Sequence, residues 1–273
     1  MPDNLLLEPK MARVFSIANQ KGGVGKTTTA INLGTALAAI GNKVLLIDLD
    51  PQGNASTGLG VPKAQRENSL YDVIVDRKPI KDAALKTSVP GLSLLPSDPD
   101  LSGVEIELGQ AERRSYRLRD ALEGLDEDAY DYILIDCPPS LNLLTVNAMS
   151  ASDAVVVPLQ CEFFALEGLS QLMRTIDLVR GSLNPRLTMQ GIVLTMFDKR
   201  NALSGQVEND VRSHFKHLVY DTVIPRNVRV SEAPSFGKPA LIYDLKCSGS
   251  QAYIKLAREL VARERARKTR DAA

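Results

Sequence analysis

Lys21-Gly22-Gly23-Val24-Gly25-Lys26-Thr27-Thr28 stands between a short apolar stretch, Val14-Phe15-Ser16-Ile17-Ala18, and a segment from Thr27 to Ala39 whose apolar residues Ile31, Leu33, Leu37 and Ala38 fall at helical spacing. A strand, a glycine-rich turn and a helix in that order make a phosphate-binding loop. The glycines let the backbone turn with its N–H groups pointing inward, so that phosphate oxygens rest on them and on the positive end of the helix. In such a loop Lys26 meets the β- and γ-phosphates of a nucleotide and the Thr27 hydroxyl holds Mg²⁺, while Gly22, Gly23, Val24, Gly25 and Thr28 complete the cradle. One lysine suffices for that task. Lys21 places a second at the other end of the cradle, where a solvated loop cation is the plain alternative.

Two more apolar runs end in acid. Val44-Leu45-Leu46-Ile47 leads into Asp48 and Asp50, two apart and hence on one side of an extended chain. Tyr132-Ile133-Leu134-Ile135 leads into Asp136-Cys137-Pro138-Pro139 and looks like a Walker B segment, whose aspartate reaches the metal directly or through water. Asp48 and Asp136 are therefore the metal candidates, with Thr27, and Asp50 is the candidate for orienting a water. Any one of them alone would also suit a turn on the surface; three aspartates at the ends of two such strands make a site.

Downstream, apolar runs at Ala154–Leu159, Gly191–Met196 and Leu218–Ile224 alternate with helical segments near Leu166–Val179 and Leu203–Phe215. The alternation predicts an α/β fold, a doubly wound and mostly parallel sheet, in one domain over 12–262, with a loose tail over 1–11 and a basic tail over 263–273. Ligands of such sheets lie at the carboxyl ends of the strands. The turn Ile224-Pro225-Arg226-Asn227 falls there, and Pro225 and Asn227 are candidates for an adenine pocket, although an ordinary turn uses the same residues.

Composition sets outer limits. A chain of 273 residues with 44% hydrophobic content can bury a large core. Nowhere does it carry the roughly eighteen consecutive apolar residues of a membrane span, and Leu5-Leu6-Leu7, flanked by Asp3 and Glu8, is too short for a signal peptide. A cytosolic protein is expected. Cys137, Cys161 and Cys247 share no C-x-x-C spacing and read as small buried fillers.

The loop spelling, with Lys21 ahead of it, resembles the deviant Walker A box of the ParA and MinD ATPases. Leu45 to Asn54, Cys161 to Gly168 and Ile224 to Ser235 are similar to the ParA/Soj chromosome-partitioning ATPases in particular, a resemblance running from Arg13 to about Val261. It implies ATP and Mg²⁺, and a homodimer closed around two ATP molecules in which Lys21 of each subunit reaches the partner's nucleotide. Lys21, Lys26 and Asp50 would be the catalytic residues. The resemblance further implies non-specific binding of double-stranded DNA by the ATP-bound dimer, release when a ParB-type centromere-binding protein stimulates slow hydrolysis, and a cytoplasmic, nucleoid-associated place in chromosome or plasmid partitioning. Arg200 and Arg229 match positions where that family uses arginine for DNA, with Lys199, Arg212, Lys216 and Arg226 as auxiliaries; a solvated surface charge is the alternative for each.

Charge bears on the DNA reading independently. The formal net charge is zero, yet residues 199–238 hold seven Lys or Arg against four Asp or Glu, and 255–273 hold seven against three. Basic charge is gathered in the last third, which with no Trp suits phosphate contact without base readout. MinD-type relatives end in a basic amphipathic membrane anchor, but 262–273 carries no large apolar residue to insert, so no membrane is expected. Nitrogenase-type iron proteins would need cluster cysteines in another context, and a metabolic ligase would need a small-molecule pocket that the sequence does not display. A scaffold that binds nucleotide without turnover shares every motif except a working Asp50. Replacing Lys26 by Ala removes the cation of the cradle, so equilibrium binding of a fluorescent ATP analogue is expected to be lost; wild-type affinity in that variant would remove the loop assignment.

Overall fold

A computed structural model describes residues 12–162 and 165–271. The tail expected over 1–11, Phe163 and Phe164 of the 161–168 segment, and the last two positions of the basic tail lie outside the described residues.

Seven strands form one sheet: β1 (Arg13–Ile17), β2 (Val44–Asp48), β3 (Leu85–Lys86), β4 (Leu92–Leu95), β5 (Tyr132–Asp136), β6 (Ala154–Gln160) and β7 (Thr188–Thr195), in the order β3-β4-β2-β5-β1-β6-β7. Every pair is parallel except β3 with β4. The mostly parallel, doubly wound α/β sheet expected from the sequence is the fold. Its strands read as unbroken apolar runs because both faces are covered. Phe15, Ile17, Val44, Leu46 and Leu134 point to one core, and Val14, Leu45, Ile47, Ile133 and Ile135 to the other. Helices α1 (Lys26–Ala39) and α7 (Ser248–Asp271) cover the first face. Helices α3 (Leu143–Ala151), α4 (Ala165–Ser182) and α5 (Ala202–Phe215) cover the second. Two short helices, α2 (Asn54–Gly58) and α6 (Val228–Glu232), lie near the strand ends.

Two expectations need correction. Leu218–Ile224 is no strand: it meets β7 at an isolated bridge of Val219 with Ile192 and at its two ends, where the N–H groups of Tyr220 and Ile224 donate to the carbonyls of Ile192 and Leu194. Its middle is drawn off the sheet because the N–H groups of Asp221 and Thr222 both donate to the Glu259 carboxylate, at 2.9 Å each. Conversely, β3 and β4 extend the sheet beyond β2 through runs too short to stand out by periodicity.

The boundary expected between 262 and 263 falls inside α7. Arg263 donates to the carbonyls of His217 and Val219 and lies 4.0 Å from the Tyr220 ring centre. Glu264 is buried, and its carboxylate takes the Arg13 guanidinium at 2.8 Å, while Arg13 also reaches Asp153 at 3.0 Å. The C-terminal helix is thereby clamped to the first strand at the end of the sheet away from the glycine loop. Arg13→Ala leaves the buried Glu264 carboxylate to the Arg267 guanidinium at 3.4 Å and is expected to destabilise by about 2 kcal/mol, read by urea denaturation; a loss below about 0.5 kcal/mol would mean that the pair acts as an exposed one.

Candidate nucleotide-binding site

The sheet register assembles the site. Asp136 pairs with Asp48 on one side and with Ile17 on the other, so two acid-tipped strands and the start of the glycine loop end at one level. In the loop, Gly23 (φ 74°) and Gly25 (φ 88°) adopt left-handed backbone that side chains resist. A Cβ at Gly22 or Gly23 would meet no protein atom within 4 Å, so it would project into the open cradle itself. Gly25 precedes α1, and no side chain caps that helix, which leaves its first N–H groups to an anion. Val24 is buried, and its carbonyl accepts the Thr195 hydroxyl at 2.8 Å, tying the loop to β7. Lys26 donates from Nζ to the Lys21 carbonyl at 3.1 Å. Burial lowers its pKa, opposed mainly by Asp136.

The two acidic metal candidates, Asp48 and Asp136, are fully buried, while Thr27 is partly exposed. Asp48 Oδ2 accepts from the backbone N–H of Ser56 at 2.7 Å and from its hydroxyl at 2.6 Å. Asp48 Oδ1 and both carboxylate oxygens of Asp136 have no hydrogen-bond partner among the described residues. Burial pushes Asp48 up to about 6. Burial, and then the neighbouring Asp48, push Asp136 well above the usual carboxylate range, with the nearby Thr27 hydroxyl pulling the other way. Orphaned anionic oxygens beside a hydroxyl fit a hard divalent cation. No group of three or more His, Cys, Asp or Glu that could hold a metal occurs among the described residues. Such a cation would therefore take its remaining ligands from phosphate oxygens and water, as Mg²⁺ does.

Asp50 leaves β2 and lines a cleft of about 420 Å³ together with Gly22, Thr27 and Thr28. Asp48 lies behind that cleft, bound to α2, so the two acids expected on one side occupy different depths. Pro225 and Asn227 line the same cleft. Asn227 also works as an ordinary turn residue: its Oδ1 accepts from the N–H groups of Arg229 and Val230, and its Nδ2 donates to Ser248. Both of the sequence alternatives for this asparagine are thus present together.

The basic candidates separate. Lys199, Arg200 and Arg226 share a groove of about 1070 Å³ with Lys255, beside the cleft. Arg200 is almost fully exposed and paired with Asp198. Arg229 lies outside the groove, paired with Glu232 and Asp244. Arg212 is held by Glu208 and by the Tyr220 carbonyl, an anchoring role within the fold. Lys216 comes directly after α5 with positive φ, exposed and not among the residues lining the groove.

Sequence reading missed Ser56, Thr195, Met196, Tyr253 and Glu162. Met196 lines the cleft at φ 49°, a strained backbone for a side-chain-bearing residue. Glu162 receives the Lys21 ammonium at 2.6 Å. Only Ser56, close behind Asp48 in the chain, left a local signal.

Fold and cradle define a P-loop nucleotide-binding protein of the doubly wound α/β class. Comparison with known proteins narrows this. A family model described as an AAA domain matches residues 12–189. The chromosome partitioning protein ParA of Caulobacter vibrioides is 72% identical over 95% of this chain and 98% of its own. The sporulation initiation inhibitor protein Soj of Bacillus subtilis is 53% identical over 92% and 99%. Among solved structures, a Mycobacterium smegmatis chain described as cobyrinic acid a,c-diamide synthase with bound ADP and magnesium superposes with a TM-score of 0.80 at 39% identity, covering 92% of this chain and 94% of that one. The chain belongs to the ParA/Soj family of chromosome-partitioning ATPases.

The carboxyl pair has a pH signature. Because folded pKa values lie above unfolded ones, the stabilising contribution of each acid is complete below about pH 4 and is lost as pH rises, through about 6 for Asp48 and toward higher pH for Asp136, whose direction is the same. Asp136→Asn in ligand-free protein is expected to be more stable than wild type at pH 8, by an amount that shrinks toward pH 4. Thermal melts across that range read it; a difference independent of pH would mean that the acids ionise without cost.

Proposed function

We propose that this partitioning ATPase is a nucleotide switch for DNA segregation. Its ATP-bound dimer holds double-stranded DNA without sequence preference, and hydrolysis, slow alone and stimulated by a ParB-type centromere-binding partner, releases it. The observation that carries the reading is the second lysine: Lys26 already serves the cradle from within, leaving the half-exposed Lys21 ammonium for a phosphate outside its own subunit.

Each residue then has a task. Backbone N–H groups from Gly22 to Thr28 bind the phosphate chain, and Lys26 neutralises its β- and γ-oxygens. Thr27 and Asp136, with Asp48 behind, would hold Mg²⁺, which when bound offsets phosphate charge. Asp50, on the cleft wall, orients the attacking water. Lys21 acts across the dimer somewhat as an arginine finger does, so turnover waits for the dimer. Pro225 and Asn227 bound the adenine side.

Support for a linked DNA face lies in the connection at residues 224–227. The Phe197 N–H donates to the Ile224 carbonyl, and the Arg226 N–H donates to the Phe197 carbonyl, both at 3.0 Å. Cleft and basic groove therefore share one backbone strap. The synthase name given to the Mycobacterium chain attaches to a relative at 39% identity; the partitioning names attach to chains at 72% and 53%. Among the described residues no helix is long and apolar enough to cross a bilayer.

Binding to a random-sequence duplex, measured with ATP, with ADP and without nucleotide across a salt series, tests the switch. ATP-dependent, salt-sensitive binding is expected, and Arg200→Glu should weaken it roughly tenfold or more at moderate salt while leaving ATP-dependent dimers intact. Binding that ignores nucleotide would remove the switch, and binding to anionic vesicles instead of DNA would move the protein to a membrane-positioning role.

A further inference from the structure

The three residues ahead of the glycine cradle all dock on the β6–α4 side of the molecule. Asn19 Nδ2 donates to the Pro158 carbonyl at 2.8 Å, Gln20 Nε2 to the Thr175 hydroxyl at 3.2 Å, and Lys21 Nζ to Glu162 Oε2 at 2.6 Å. The backbone of Lys21 is fixed at both ends: its N–H donates to Asn19 Oδ1 at 3.0 Å, and its carbonyl accepts Lys26 Nζ. Glu162 is fixed as well. Its N–H donates to the Gln160 carbonyl and its own carbonyl accepts from the Ala165 N–H, both at 2.9 Å, which ties it to the end of β6 and the start of α4. Two anchored backbones thus face each other, and what remains free to move is the two side chains.

The pair is half exposed on both sides, with the lysine side chain 39% and the glutamate 47% accessible. An ion pair of that kind favours contact only roughly twofold to fivefold. It holds the ammonium at a defined place yet gives way to a competitor of higher charge, such as a phosphate chain. Lys21 cannot serve Glu162 and a phosphate of another subunit at once without drawing the glutamate into that interface.

We propose that Glu162 is a positioning residue that retains Lys21 within its own subunit and, by competing for its ammonium, sets how readily the ATP-bound dimer forms. The inference rests on the reading that Lys21 acts in trans. In the single chain the carboxylate neutralises a lysine that would otherwise offer its charge to any passing anion. On dimer formation the partner's γ-phosphate displaces it. The link between β6 and α4 then loses its tie to the loop, so Lys21 occupancy is reported to α4.

The test uses the full chain without DNA or protein partner. Sedimentation velocity across protein concentration, with ATP and with ADP, gives the dimerisation constant, and steady-state turnover gives activity. Glu162→Gln is expected to form the ATP dimer at roughly twofold to fivefold lower concentration, with ADP leaving it monomeric. Glu162→Asp, one methylene shorter, should fall between the two and covers the case in which the glutamine variant folds poorly. Lys21→Ala is the control: it should abolish the ATP dimer, and Glu162→Gln added to it should restore nothing, because Glu162 works only through that lysine. Loss in Lys21→Ala with unchanged or weaker dimers in Glu162→Gln and Glu162→Asp would overturn the inference alone. Wild-type dimers and turnover in Lys21→Ala would overturn the trans-acting lysine and the inference with it.

Discussion

Everything at the site depends on the register of three adjacent parallel strands. Asp136 stands level with Asp48 on β2 and with Ile17 on β1. A parallel ladder advances all its strands in the same direction, so their carboxyl ends come out on one edge, and the loop leaving each strand meets the loops leaving its neighbours. A slip of one residue on β5 would turn Asp136 to the other face and put Ile135 or Cys137 in its place. The register itself is held by side chains that never touch a ligand, with both faces of β2 and β5 sealed by core residues.

That arrangement concentrates unfavourable charge. Two buried carboxylates with unmet oxygens sit beside a buried lysine whose own pKa is pulled down. Alone, this is a cost to stability, which the core packing on both faces of the sheet and the Arg13–Glu264 clamp at the other end of β1 offset. The cost is also what makes the site selective for a cation that arrives with a phosphate chain, since such a ligand meets the acids and the cradle together. Of the four non-glycine residues with left-handed backbone among the described residues, Arg77, Arg113, Met196 and Lys216, Met196 stands on the cleft wall.

The cleft has two neighbours that can register what it holds. On one side the strap of Ile224 to Arg226 against Phe197 joins it to the groove lined by Lys199, Arg200 and Lys255. On the other, Lys21 and Glu162 join it to the start of α4. Both connections are short backbone or side-chain links, so a small shift at the cradle has a direct route outward.

The sequence by itself determined the glycine loop, the acid-tipped strands around Asp48 and Asp136, and the parallel class of sheet. Those signals are local: a left-handed turn needs glycine where it occurs, and a strand buried on both faces must be apolar throughout. It also determined where basic residues lie along the chain. Only the tertiary structure decided which of them share a surface, because grouping Lys199, Arg200 and Arg226 while turning Arg212 inward toward Tyr220 depends on how α5 docks. It decided that 218–224 leaves the sheet, since the Glu259 carboxylate that captures its N–H groups sits nearly forty residues away on α7. It decided that 263–264 belongs to the body, because Tyr220 and Arg13 wait there for it. And it decided the partner of Lys21, since no spacing in the chain relates a lysine before the cradle to a glutamate after β6; only the adjacency of β1 and β6 in the sheet brings them together.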